Sequence, residues 1–213
     1  MDPNSRRPPG RPRSNEQGAP VSDRILYVAM HEFIRLGYDA VSMDDIAKAC
    51  GVTKASIYYY YPSKAVLLTQ STIRLMNVVR TATLNILQKP LPLRQRLTEV
   101  TVNHLKATTS FEFEGFMNKI EAVLTPEQNE EMRKAEHRLL EALADAFEEA
   151  ARQGEICCTD SWLAARSYMA LLMIGHSKQP DGSFTYPDKT QAAVKIIDML
   201  WNGIGSAPPI IRK

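Results

Sequence analysis

Residues Ser42 to Lys64 read SMDDIAKACGVTKASIYYYYPSK, and the fold turns on this stretch. Ser42 can cap a helix whose first turn carries Asp44 and Asp45, where carboxylates suit the helix dipole. Met43, Ile46, Ala47 and Cys50 recur at helical spacing and give that helix one buried face. Gly51 supplies the permissive backbone of a sharp helix exit. Thr53 can cap a second short helix, and Pro62 stops it just after Tyr61. Two short helices joined by a tight turn make a helix-turn-helix, whose second helix has the size to lie in a DNA major groove.

The chemistry of that second helix suits nucleic acid. Lys54, Ser56, Tyr58 and Tyr59 offer a cation, a hydroxyl and two phenols within two turns, while Ile57 and Tyr60 sit where they can face inward. Lys64 stands beside Ser63, the expected cap of the next helix, where a cation opposes the local dipole. Next to a phosphate, that ammonium and the helix amides would hold one anion together. The bland alternative is a solvated lysine beside a surface cluster of tyrosines.

From Arg24 to Leu68, RILYVAMHEFIRLGYDAVSMDDIAKACGVTKASIYYYYPSKAVLL resembles the DNA-binding domain of the TetR (tetracycline repressor) family of transcriptional regulators. The resemblance rests on Gly37-Tyr38, Ser42, Asp45-Ile46-Ala47, Ala49, Gly51-Val52, Lys54, Ile57-Tyr58, Tyr60-Tyr61 and Pro62-Ser63-Lys64. The usual small residue after Lys54 is present as Ala55, whereas Tyr59 replaces the family's frequent histidine, so base preference can differ while docking should not. The resemblance implies DNA contacts from Ser42, Thr53, Lys54, Ala55, Ser56, Tyr58, Tyr59 and Lys64. It covers the N-terminal part of the chain only.

Composition is that of a soluble globular protein: 44% hydrophobic and 23% charged over 213 residues, enough for one small and one medium domain. The net charge of +2 says little about partners, but its distribution says more. Residues 1–15 carry Arg6, Arg7, Arg11 and Arg13 against Asp2 alone, while from Ala65 to Lys213 the 17 basic and 17 acidic side chains cancel. Residues 1–20 also hold five of the thirteen prolines and read as a disordered basic arm. Its Pro9-Gly10-Arg11-Pro12-Arg13 core resembles an AT-hook, with Arg11 and Arg13 suited to a narrow minor groove. A merely solubilising tail is the alternative.

Three cysteines, two of them adjacent at Cys157 and Cys158, suggest no disulfide framework and a reducing cytoplasm. No apolar run reaches the length of a membrane span, and the polar N-terminus does not read as a secretory signal. Glu130, Glu131, His137 and His176 have neither triad nor metal-ligand spacing, so neither an enzyme nor a metal or cofactor site is expected. Vicinal thiols can bind soft metals, so a redox- or metal-sensing regulator using Cys157 and Cys158 is the second reading.

Helical spacing continues to the C-terminal end. A first helix is expected from about Asp23 to Leu36 with Ser22 as cap, and a long one from Ser63 to about Gln88. Leu93 to Thr108 follows. Thr125-Pro126-Glu127-Gln128 then opens a helix running to about Gln153, with a threonine cap, a proline at the first position and a glutamine closing the box. Asp160 or Thr159 starts a helix through Ile174, residues 175–189 form a polar loop, and a last helix ends near Gly203 or Gly205. No alternating strand pattern competes, so the class is all-α: a basic arm over 1–20, a three-helix DNA-binding domain over 21–66, and a helical effector and dimerisation domain over 67–213. The wide apolar stripes of the last two long helices suit a twofold four-helix bundle. The family resemblance likewise implies a homodimer that reads a palindromic operator in double-stranded DNA, with a cavity for a small, mostly apolar effector. Phe116, Met117, Trp162 and Tyr168 are candidates to line it, although at any one of these positions an ordinary core residue is the commoner case. A ligand-responsive repressor is the function expected.

Overall fold

Eight helices account for most of residues 20–107 and 120–204, the part of the chain described by this computed structural model. They are α1 (Val21–Leu36), α2 (Met43–Cys50), α3 (Lys54–Tyr60), α4 (Lys64–Leu87), α5 (Leu93–Ala107), α6 (Pro126–Arg152), α7 (Ser161–Ile174) and α8 (Lys189–Ile204). Among the described residues the only bridge pairing is an isolated one between Lys178 and Phe184, so the class is all-α.

Local chemistry sets most helix starts. Ser42 Oγ accepts the Asp45 N–H at 3.2 Å while the Asp45 carboxylate accepts the Ser42 N–H at 3.0 Å, closing a capping box on α2. Thr125 and Gln128 close the same box on α6, with Pro126 at its first position. Thr53, Ser63 and Asp160 cap α3, α4 and α7. The start of α1 departs from expectation: it begins at Val21, after Pro20, with no side-chain cap. Ser22 lies inside the helix, and its carbonyl accepts the Tyr61 hydroxyl at 3.2 Å. Tyr61, not Tyr60, is therefore the inward tyrosine, at 7% exposure against 42%. The extended backbone of Tyr61 takes its side chain out of the helical phase that α3 sets for Tyr60.

Two apolar cores result. The first gathers Ile25, Ala29 and Phe33 of α1 with Ile46, Ile57, Leu67 and Leu68, and continues to Ile120, Leu124 and Met132. The second joins Leu93 and Leu97 of α5, Leu143 and Phe147 of α6, Tyr168 of α7 and Ile197 of α8. Helix α4 packs on α1, α5 and α6 and so belongs to both. Its second and third turns bury three hydroxyl residues that apolar spacing could not signal, Thr69, Ser71 and Thr72. The first two donate back to their own helix, to Ala65 O at 3.0 Å and Leu68 O at 2.9 Å, and Thr72 turns onto Met30 Sδ at 3.8 Å. Small, self-satisfied side chains let neighbouring helices approach the α4 backbone closely. The polar loop expected over 175–189 ends one residue earlier, because Lys189 opens α8, and it forms a small hairpin in which Gln179 N–H donates to Ser183 O and Thr185 N–H to Ser177 O, both at 2.8 Å.

His104 of α5 is half-buried, with its ring centroid 5.5 Å from that of His176. Burial, aided by that neighbour, holds its pKa down at about 4. The unfolded chain protonates this imidazole near 6.5, so between the two values the unfolded state binds more protons than the fold does. Stability from this group is therefore complete above about pH 6.5 and is lost as pH falls toward 4, by as much as about 3 kcal/mol. Denaturant unfolding at stepped pH should show a smaller decline over this window for His104→Gln than for the native chain.

Candidate nucleic-acid interface

One buried side chain orients α3. Ile57 is fully buried in the first core, so Lys54, Ala55, Tyr58 and Tyr59 emerge on the far side of α3. Tyr59 is 82% exposed, and its ring meets that of Tyr60 edge-on with centroids 5.0 Å apart. Gly51, at φ +66°, makes the left-handed corner between α2 and α3 that an L side chain would strain. Thr53 Oγ1 accepts the Ser56 N–H at 3.1 Å and shares a 2.8 Å hydrogen bond with the Ser56 hydroxyl.

Beside α3 lies an open cleft of about 490 Å³, where the N-terminal ends of α2 and α4 meet. Ser42, Lys54, Tyr58, Ser63 and Lys64 line it together with Asp39 and Asp44. Helix N-termini, hydroxyls and ammonium groups on one concavity are the donors that a phosphate backbone requires. Lys64 is not a loose surface cation. Its ammonium lies 4.2 Å from the Tyr38 ring centroid and donates to the Asp39 carbonyl at 3.5 Å, and partial desolvation lowers its pKa. Tyr38 in turn leans on Phe33, their centroids 5.8 Å apart, which ties this cation to the first core. Lys54 lies 3.9 Å from Asp44, which is also 3.6 Å from Lys48. The hydroxyl and amide of Ser42 hold the Asp45 carboxyl below its ordinary range, so this cap stays ionised beside the cleft.

The structure thus brings Ser42, Thr53, Lys54, Ala55, Ser56, Tyr58, Tyr59 and Lys64 onto one end of the molecule. Arg11 and Arg13 lie outside the described residues, as do Phe116 and Met117. Trp162 and Tyr168 fall on different faces of α7. Trp162, 37% exposed, stacks on His137 of α6 with centroids 5.0 Å apart and planes 21° apart. Tyr168 is fully buried, its hydroxyl 3.0 Å from that of Thr101, and burial raises its pKa. His137 thus has an aromatic partner on another helix, a contact that leaves no local pattern in the sequence. Among the described residues no three His, Cys, Asp or Glu side chains gather as metal ligands, and no helix is long and apolar enough to cross a membrane.

Residues 25–70 match the model of bacterial regulatory proteins of the tetR family, and residues 95–179 match that of the AefR-like transcriptional repressor C-terminal domain. Over 51 residues the chain is 41% identical to IcaR, the HTH-type negative transcriptional regulator of the biofilm operon icaADBC in Staphylococcus aureus (strain Newman). That match covers 24% of this chain and 27% of IcaR, so the chain spans about a quarter of the length of the curated relatives it matches. A TetR/AcrR-family regulator from Thermobifida fusca superposes with a TM-score of 0.65 at 26% identity, covering 85% of this chain and 97% of that one. The TetR-family regulator PfmR from Thermus thermophilus gives 0.65 at 25% identity, over 84% and 98%. With both family models matched in sequence order on the corresponding fold, the chain belongs to the TetR family of bacterial regulatory proteins.

Proposed function

We propose that this chain is a ligand-responsive repressor that reads a palindromic operator as a homodimer and is released by a small, largely apolar effector. The outward face of α3 carries this reading. A phenol left 82% exposed on a helix anchored by Ile57 meets only the edge of its exposed neighbour Tyr60, and it stands beside a cleft lined by two lysines and the N-terminal ends of two helices. Tyr58, Tyr59, Lys54 and Ala55 would meet base edges, while Ser42, Thr53, Ser56 and Lys64 would hold phosphates. The description of IcaR as a negative regulator favours repression. The bond from Tyr61 to Ser22 keeps the start of α1 next to the end of α3, so an arm bearing Arg11 and Arg13 would leave the protein within reach of the adjacent minor groove.

The dimer is assigned to α7 and α8, which leave Leu163 at 62% and Met199 at 63% exposure, with Ile174 and Val194 also in water. Twofold packing of these helices would bury that surface and set two reading helices about 34–36 Å apart, or a multiple of it. The effector is assigned to the second domain, with Phe116, Met117, Trp162 and Tyr168 as its contacts. Operator binding and three free cysteines both suit the cytoplasm.

Binding measured against salt on operator and random duplex tests the interface. Lys64→Ala should weaken both DNAs alike and reduce the salt slope by about one per subunit. Tyr59→Ala should cost about 1–3 kcal/mol on the operator and much less on random duplex, and equal losses would remove Tyr59 from sequence reading. Sedimentation should find the native chain dimeric and Leu163→Arg/Met199→Glu monomeric, with operator binding lost. A double variant that remained dimeric would count against this pairing of helices.

A further inference from the structure

Cys157 and Cys158 take no part in the contacts above. They lie in the connection between α6 and α7, Cys157 exposed and Cys158 half-buried against the second core. That connection is pinned at both ends. Gly154 adopts φ +72° so that the Glu155 N–H returns to Ala150 O at 2.9 Å, and the Asp160 carboxylate caps α7 at 2.8 Å. Ile156, between the pins, is buried.

Glu155 ties this corner to the rest of the domain. One carboxylate oxygen accepts the Leu93 N–H at the start of α5, and the other lies 3.8 Å from the Arg96 guanidinium. Arg96, with 12% of its side chain exposed, also donates to the carbonyl of Leu87 at 2.6 Å. Leu87 is the last residue of α4, whose first turns sit in the core of the DNA-binding end. Adjacent thiols thus stand two and three residues from a carboxylate that fastens the α6–α7 corner to α5 and, through Arg96, to α4.

We propose that Cys157 and Cys158 form a binding site for thiophilic trivalent metalloids, of which an organoarsenical oxide is the simplest probe, and that its occupation withdraws Glu155 from α5 and Arg96. Two soft sulfur donors on neighbouring residues match a soft centre. The step is a condensation without redox change. Two arsenic–sulfur bonds form, the arsenic–oxygen bond and two S–H bonds break, and the oxygen leaves with both protons as one water. A shared arsenic atom requires both sulfurs on one side of the backbone, whereas here one faces solvent and the other the core. Binding therefore turns the 156–158 backbone and carries Glu155 with it. The consequence for DNA rests on the function proposed above, but the site itself does not.

The test uses the full chain with phenylarsine oxide. Intact mass should gain one phenylarsenic and lose two hydrogens per chain, with no such adduct on Cys157→Ser or Cys158→Ser and an unchanged one on Cys50→Ser. Hydrogen exchange of the Leu93 amide should accelerate about five- to tenfold in the adduct, as loss of one capping hydrogen bond implies, and return to its starting rate on adding 2,3-dimercaptopropanol. Operator affinity should fall about 5–150-fold with the same reversal, and less in Glu155→Gln, which keeps the amide acceptor but not the ion pair. No adduct, or one that survives either serine variant, overturns the site. An adduct with unchanged Leu93 exchange overturns the lever. If unreacted protein ignored the operator, the repressor reading would fall while mass and exchange still decided this one.

Discussion

Helix α4 has one end in each core, and the rest of the structure hangs on that sharing. Leu67 and Leu68, without solvent exposure, complete the core beneath the reading helix, while Ile86 and Leu87 enter the core of the second domain. Twenty-four helical residues span about 36 Å, so a tilt at one end becomes a displacement at the other. Thr69, Ser71 and Thr72, in its second and third turns, are bonded to carbonyls of their own helix or to a sulfur. Hydroxyls that back-bond within a helix favour slight bending. A connection that is rigid along its axis, with one end in each core, suits transmission between domains.

The α3 end shows how little is needed to aim a short helix. Seven residues of α3 would be marginal alone in water, and tertiary anchoring makes up the difference. Ile57 sets its rotation, the Thr53 cap its start, and Tyr61, bonded to Ser22, its exit. With rotation and ends fixed, the exposed tyrosines lose less freedom on meeting a ligand than side chains on a mobile loop would. Lys64 illustrates the same economy: held over Tyr38, it keeps its charge at the cleft while its stem contributes to packing.

What could be read from the sequence was what is local in it. Ser42 with Asp45, and Thr125 with Gln128, are three residues apart, and their side chains and backbones met as expected. Ile57, the Gly51 corner and the end of α7 at Ile174 were equally accessible, because each needs only helical phase or a backbone preference. The misses are long-range or polar. The inward turn of Tyr61 depends on Ser22, the tether of Lys64 on Asp39, and the stacking of His137 on Trp162, partners far apart in the chain. Thr69, Ser71 and Thr72 were invisible because apolar periodicity gives a buried hydroxyl no weight, and Ser22 was a plausible cap until Pro20 started the helix earlier. In the second domain, Trp162 and Tyr168 share a helix and a chemical type, yet the fold separates them by face.

The hairpin over 175–188 is closed by Lys189, which is 7% exposed. Its ammonium donates to the Gly175 carbonyl at 3.2 Å and lies 3.8 Å from the centroid of Phe184. One side chain thereby clasps the exit of α7, the entry of α8 and the strand-like return between them. Surface connections normally tolerate changes in length, but here an added or deleted residue near either end would unseat a buried cation. Natural length variation, and any epitope or fluorophore grafted into this connection, should therefore be accommodated only at its solvent-facing tip around Pro180 to Ser183.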